Sequence, residues 1–71
     1  MLIAEIPKSI DESISVMVRE YKGRRFIDCR VYYEDTQGEW KPTKKGITLN
    51  NETIGEVIEA LQKARQAYGE K

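Results

Sequence analysis

The chain has 71 residues, with twelve basic and twelve acidic side chains and a formal net charge of zero. That length holds one domain, residues 1–71, and excludes a large enclosed core, because a domain this small hides only about 60% of its unfolded surface. With no histidine and a single cysteine, Cys29, a disulfide framework and the common zinc sets are excluded, the commonest general acid–base is missing, and the thiol lacks the histidine that would activate it.

Charged residues make up 34% of the chain, above the roughly 25% of an average soluble domain. No apolar run approaches a membrane span. The first residues lack the basic-then-apolar layout of a secretion signal, and a lone thiol suits a reducing compartment, so an intracellular location is expected. A small domain without cross-links is also expected to self-associate.

In chain order, MLIAEIP (1–7) reads as a short edge strand that Pro7 ends or confines to an edge, and residues 8–13 read as a connection. Residues 14–21 alternate with period two. Ile14, Val16 and Val18 share one face, and Met17, Arg19 and Tyr21 share the other. Lys22-Gly23 makes a tight turn. The β-branched and aromatic residues of 24–34 predict the longest strand. Its Ile27, Cys29 and Val31 share one face, with Tyr33 following in parity, and Phe26, Asp28, Arg30 and Tyr32 share the other. Residues 35–39 form a loop. Trp40 and Lys41 resume an extended segment that Pro42 confines to an edge or a bend. Thr43 to Lys45 is a basic turn, and Ile47 to Leu49 a short strand.

Asn50 is the expected N-cap of a helix over roughly 51–68. Ile54, Val57, Ile58, Leu61, Ala64 and Tyr68 recur at helical spacing. Such a helix is about 27 Å long, against about 15 Å across four strands. Spare apolar surface on Ile54, Val57, Ile58 and Leu61 therefore calls for the same helix of a second chain. The class is α+β, a four-stranded antiparallel sheet followed by one C-terminal helix (ββββα), as a homodimer.

The charge is unevenly spread. Residues 19–46 hold eight bases against five acids, and both flanks are net acidic. Five rings, Tyr21, Phe26, Tyr32, Tyr33 and Trp40, are interleaved with those bases. Cations that follow phosphates and rings that stack on bases are the parts of a single-stranded nucleic-acid platform. No Gly-rich phosphate cradle and no calcium-loop spacing occurs, so no enzyme, cofactor or metal is expected.

The wording of the centre narrows this further. REYKGRRFIDCRVYY followed by GEWKPTKKGITLNNE resembles the DNA-binding domain of the eukaryotic transcriptional coactivator called positive cofactor four, with its prokaryotic and phage relatives. The resemblance spans about Ile14 to Leu61. Its most specific parts are the Tyr-Lys-Gly turn, the Ile-Asp-x-Arg-x-Tyr strand and Lys-Pro-x-x-Lys-Gly-Ile-x-Leu-Asn. It implies a homodimer with packed helices and curved sheets whose saddle-like grooves take single-stranded DNA, or melted duplex, with little sequence preference. Carried residue by residue, the contacts fall on Arg19, Tyr21, Lys22, Arg24, Arg30, Tyr33, Lys41, Lys44 and Lys45.

Tyr21 and Tyr33 stand where the eukaryotic pattern has Phe and Trp. Thr43 replaces a Gly, and Asn51 replaces a Pro. The coactivator's Ser- and Lys-rich tail is absent, which points to DNA binding in transcription, replication or repair, in the cytoplasm or nucleoid of a prokaryote or its virus.

Plainer roles compete for several residues. Arg19 and Arg30 can pair with Asp28 or Glu20. Turn lysines are usually just solvated, Cys29 suits a small buried site, and Trp40 suits core packing or a dimer contact. Tyr33 reaches the basic face if a bulge or strong twist re-aims it, and Tyr32 is the other candidate ring. A protein-interaction module using the strand around Pro42 or the helix is the alternative function.

Overall fold

The computed structural model describes residues 1–70. Four strands, β1 (Leu2–Ser9), β2 (Glu12–Tyr21), β3 (Arg24–Glu34) and β4 (Trp40–Leu49), form one antiparallel sheet in chain order. One helix, α1 (Ile54–Gly69), follows. Each strand neighbours the next in sequence, so every connection is a hairpin.

The alternating pattern of β2 and β3 is realised without a break. Ile14 faces Val31, Val16 faces Cys29 and Val18 faces Ile27 on one side, and Met17–Asp28, Arg19–Phe26 and Tyr21–Arg24 pair on the other. Lys22 (φ 52°) and Gly23 (φ 76°) both take the left-handed conformation between the strands. That is the turn whose twist matches a two-residue hairpin.

β1 runs through Pro7 to Ser9, and Glu12 already belongs to β2, so only Ile10-Asp11 connects them. Pro7 does not end the strand, because β1 is an edge and no further strand asks for the missing donor. β4 is likewise one edge strand, not two segments. Its register shifts between Gly46, opposite Arg30, and Pro42, opposite Tyr32, so Thr43, Lys44 and Lys45 bulge across from Val31. Thr43 holds the bulge: its hydroxyl donates to the Val31 carbonyl (2.8 Å) and accepts from the Lys45 amide (3.1 Å).

The helix starts three residues later than the sequence pattern suggests. The Asn50 carboxamide oxygen accepts from the Glu52 (2.9 Å) and Thr53 (3.1 Å) amides. Asn50 thereby caps a turn over 51–53, while regular α-helix begins at Ile54 behind Thr53. The capping chemistry is as expected, one turn upstream.

Little of this surface is closed. The accessible area is 6252 Å² for 8.2 kDa, where a folded monomer of that mass averages about 4,500 Å². The radius of gyration is 14.2 Å against about 11 Å for a compact chain of this length. Leu49 is the one buried hydrophobic residue among those described, and α1 buries none. Ile6, Ile47, Ile58 and Leu61 are all about half exposed or more. The aliphatic face of the sheet and the helical stripe are built but uncovered.

Candidate nucleic-acid interface

The β2–β3 turn sets the first group of side chains. Tyr21 and Arg24 face each other across the last pair of the hairpin, and Arg19 lies on the same side two residues earlier. Tyr21 is 65% exposed, unusual for a ring that has a sheet to pack on. The Lys22 ammonium sits 5.3 Å from the ring centre, where the electron-rich face attracts a cation. Among the described residues Lys22, Arg24, Arg25, Lys44 and Lys45 form no ion pair with a carboxylate. Of the expected contacts, then, Arg19, Tyr21, Lys22 and Arg24 come together at one end of the polar face.

Behind them lies a carboxylate hub. Asp28 is 2% exposed. It accepts two hydrogen bonds from Arg30, from Nε (3.1 Å) and Nη2 (2.9 Å), in the two-pronged geometry that suits a guanidinium. Arg30 Nη1 donates to the Thr43 carbonyl at 2.9 Å, which ties β3 to the bulge. The hydrogen bond to Asp28 raises the Arg30 pKa above its ordinary value, so the side chain stays cationic. Arg19 Nη1 lies 3.9 Å from Asp28 and its side chain is 53% exposed. It feels the carboxylate but is not hydrogen-bonded to it. Of the two expected contact arginines beside Asp28, Arg30 is held by the protein and Arg19 is largely free.

Gly46 makes the hub possible. A Cβ there would meet the Cys29 carbonyl at 2.7 Å and the Arg30 guanidinium carbon at 3.0 Å. Only a residue without a side chain lets β4 pass this close under Arg30.

The other expected contacts are separated from this end. Tyr33 pairs with Glu12 and with Lys41, on the side of Ile14 and Val31. The β2–β3 register contains no bulge, and the β4 bulge leaves Tyr33 in parity, so no bulge re-aims the ring. It is Tyr32 that shares the face of Arg19 and Arg30, with its hydroxyl 3.9 Å from the Met17 sulfur. Lys41 donates to Asp35 at 2.8 Å. That carboxylate also accepts from the Gln37 and Glu39 amides. The Lys41 ammonium, then those amides, hold the Asp35 pKa below its ordinary value. Lys44 and Lys45 project from the bulge, both exposed. Trp40 is neither buried nor on the aliphatic face. It is 46% exposed and lines a cavity of the polar face.

Sequence reasoning missed the bulge clamp of Thr43 and the close approach at Gly46. The second had a signal, since a glycine opposite an arginine within a strand marks a backbone that something must approach. Among the described residues no cluster of three or more Cys, Asp or Glu could hold a metal. No helix there is long and apolar enough to cross a membrane.

The profile of the family described as Transcriptional Coactivator p15 (PC4) matches residues 8–60. The chain belongs to that family. A PC4 homologue of Burkholderia pseudomallei, in a tetragonal crystal form, superposes with a TM-score of 0.86 at 35% identity, covering 92% of this chain and 96% of that one. The bacteriophage T5 homologue of the eukaryotic coactivator is described as implicated in recombination-dependent DNA replication. It superposes at 0.77 with 23% identity, over 96% of this chain and 78% of its own. At that identity the phage protein supports the shared fold only. The PC4 match covers the whole basic centre, from before β2 to the middle of α1.

Proposed function

We propose that this PC4-family chain is a homodimeric, sequence-tolerant single-stranded DNA-binding protein that acts in transcription, replication or repair without catalysing a reaction. In a prokaryotic host it would work in the cytoplasm or nucleoid, on single strands and melted duplex, or on RNA. One observation carries the reading: an exposed ring, Tyr21, flanked by Arg19, Lys22 and Arg24 on one side of a sheet. The ring offers stacking, and the cations displace phosphate counterions. Lys44 and Lys45 add two exposed cations at the bulge.

The dimer supplies the missing interior. The surface in excess of a compact monomer is about 1,700 Å². That exceeds the roughly 800 Å² per partner of a standard interface and falls within the roughly 1,000–2,500 Å² per partner of obligate ones. Pairing through Ile54, Val57, Ile58 and Leu61 and the aliphatic sheet face would close it. The two ligand faces would then point outward.

Titration of labelled oligo-dT by fluorescence anisotropy at two salt concentrations tests the ligand. Tight binding that weakens steeply with salt is expected. No binding at low salt would reject the reading and favour recruitment of another protein by an open edge strand or by α1.

A further inference from the structure

At the other end of the polar face from Tyr21, a cavity of about 460 Å³ is lined by Glu5, Ser13, Ser15, Met17, Tyr32 and Trp40, with the β1–β2 turn beside them. Its size falls in the range of small-ligand sites. Its chemistry differs from the rest of the face. No lysine or arginine lines it, so a phosphate has no counter-charge there. Glu12, at its rim, is taken by Lys8 at 3.5 Å, while Glu5 forms no ion pair among the described residues.

Ser15 is only 3% exposed and makes no side-chain hydrogen bond among the described residues. No polar atom there is both fully sealed and unpartnered, so its hydroxyl opens into the cavity it lines. An open hydroxyl that the protein leaves without a partner, on a residue otherwise enclosed, is available to a ligand. The Tyr32 hydroxyl has only the Met17 sulfur, a weak acceptor. Flat rings, unengaged hydroxyls and one free carboxylate suit a flat, uncharged group that carries N–H donors.

The cavity also adjoins the basic path. Met17 and Tyr32 line it and line as well the neighbouring depression that contains Arg19 and Arg25. A strand held by its phosphates at those arginines brings its next bases here.

We propose that this cavity receives one base of the bound strand and prefers a base with an exocyclic amino group, cytosine over thymine. The inference rests on the DNA-binding reading above and adds a selectivity to it. The cytosine 4-amino group would donate to Glu5, a pairing that carboxylates make with that base. Thymine presents an oxygen at the same place, acceptor against acceptor. The preference is a several-fold bias within broad tolerance.

The test compares oligo-dC, oligo-dT and oligo-dC with 2-pyrimidinone, which lacks only the 4-amino group, by anisotropy at one salt concentration. Oligo-dC should bind about fivefold or more tightly than oligo-dT, the lower end for one such contact. The 2-pyrimidinone oligomer should lose that advantage. Glu5→Gln should bring the dC-to-dT ratio toward one, and Trp40→Ala should weaken oligo-dC more than oligo-dT. Equal affinities in the unaltered protein, or a ratio unmoved by Glu5→Gln, would overturn the pocket and leave the interface standing. No binding to any oligomer would overturn both.

Discussion

The two faces of the sheet differ less in exposure than in what their side chains already touch. On the aliphatic face Ile14, Val16, Val18, Ile27, Val31 and Ile47 meet each other and then solvent. On the polar face Asp28, Arg30 and Thr43 are joined by short hydrogen bonds. An apolar surface gains by being covered with anything of matching shape. A satisfied polar network gains nothing from cover and serves better as a fixed base for free groups beside it. The first face therefore suits the proposed second chain, and the second suits the proposed single strand.

The sharpest way to break this comparison is to charge the apolar surface that the proposed dimer would cover. Leu61→Asp should cost about 3–5 kcal/mol of assembly free energy, the scale for truncating a large buried aliphatic residue. Light scattering after gel filtration should then read a monomer or an unfolded chain. An unchanged dimer mass would remove α1 from the interface. The same substitution leaves the polar face chemically intact, so whatever folded monomer remains should keep some affinity for DNA.

Next in size is the floor of the polar face. Gly46→Ala pushes a methyl group into the Cys29 carbonyl and Arg30, and should destabilise by about 1–3 kcal/mol as overpacking does. Thermal unfolding checks it. A melting point equal to the parent would mean that β4 yields freely there and that the Arg30 hub is not a rigid base.

The rings separate the faces directly. Tyr21→Ala should weaken binding of a single strand by about 1–3 kcal/mol if the ring stacks on a base. Tyr33→Ala should cost less, because its register sets it with Lys41 on the opposite side. An equal loss for Tyr33 would show the strand crossing the edge of β4, and the faces would then not be functionally separate.

Much of this division is legible in the sequence, and the reasons differ by residue. Period-two alternation placed Ile14, Val16 and Val18 against Ile27, Cys29 and Val31 because register follows directly from parity once the Lys22-Gly23 turn is fixed. Arg19 and Tyr21 were placed by the same rule. The pairing of Arg30 with Asp28 was one of two open alternatives, since parity puts them side by side but does not say whether the guanidinium turns inward. The bulge was not legible. Thr43-Lys44-Lys45 reads as a turn, and the Thr43 hydroxyl bond to Val31 and the Arg30 bond to the Thr43 carbonyl keep it inside a strand. The late start of α1 was hidden for a related reason. Asn50 caps whatever amides lie next to it, whether they open a helix or a single turn.

A smaller effect distinguishes free cations from engaged ones. Replacing Lys44 and Lys45 together by Gln should lower the slope of log affinity against log salt by about 1.4, at roughly 0.7 per phosphate contact on a single strand. Arg30→Gln should lower stability and leave the slope nearly unchanged, because its donors are already committed to Asp28 and Thr43. A slope change for Arg30 as large as for one of the lysines would mean that the guanidinium leaves its carboxylate when DNA binds.

The smallest expected effect lies at the β3–β4 turn, where Lys41 is engaged by Asp35. The Asp35 pKa is lowered in the folded chain, first by the Lys41 ammonium. A group depressed on folding stabilises the fold above its unfolded pKa, and that contribution is lost as pH falls through the folded value. Acid should therefore loosen this turn only below the ordinary 3.8 of an aspartate. NMR titration of the Asp35 carboxyl should give a midpoint below that value, and Lys41→Met should move it up. Asp35→Asn should release Lys41 at neutral pH. If the freed ammonium reaches a phosphate, the salt slope should steepen by about 0.7. An unmoved slope, together with a normal Asp35 midpoint in the parent, would show that the ion pair neither withholds Lys41 from DNA nor shapes the turn.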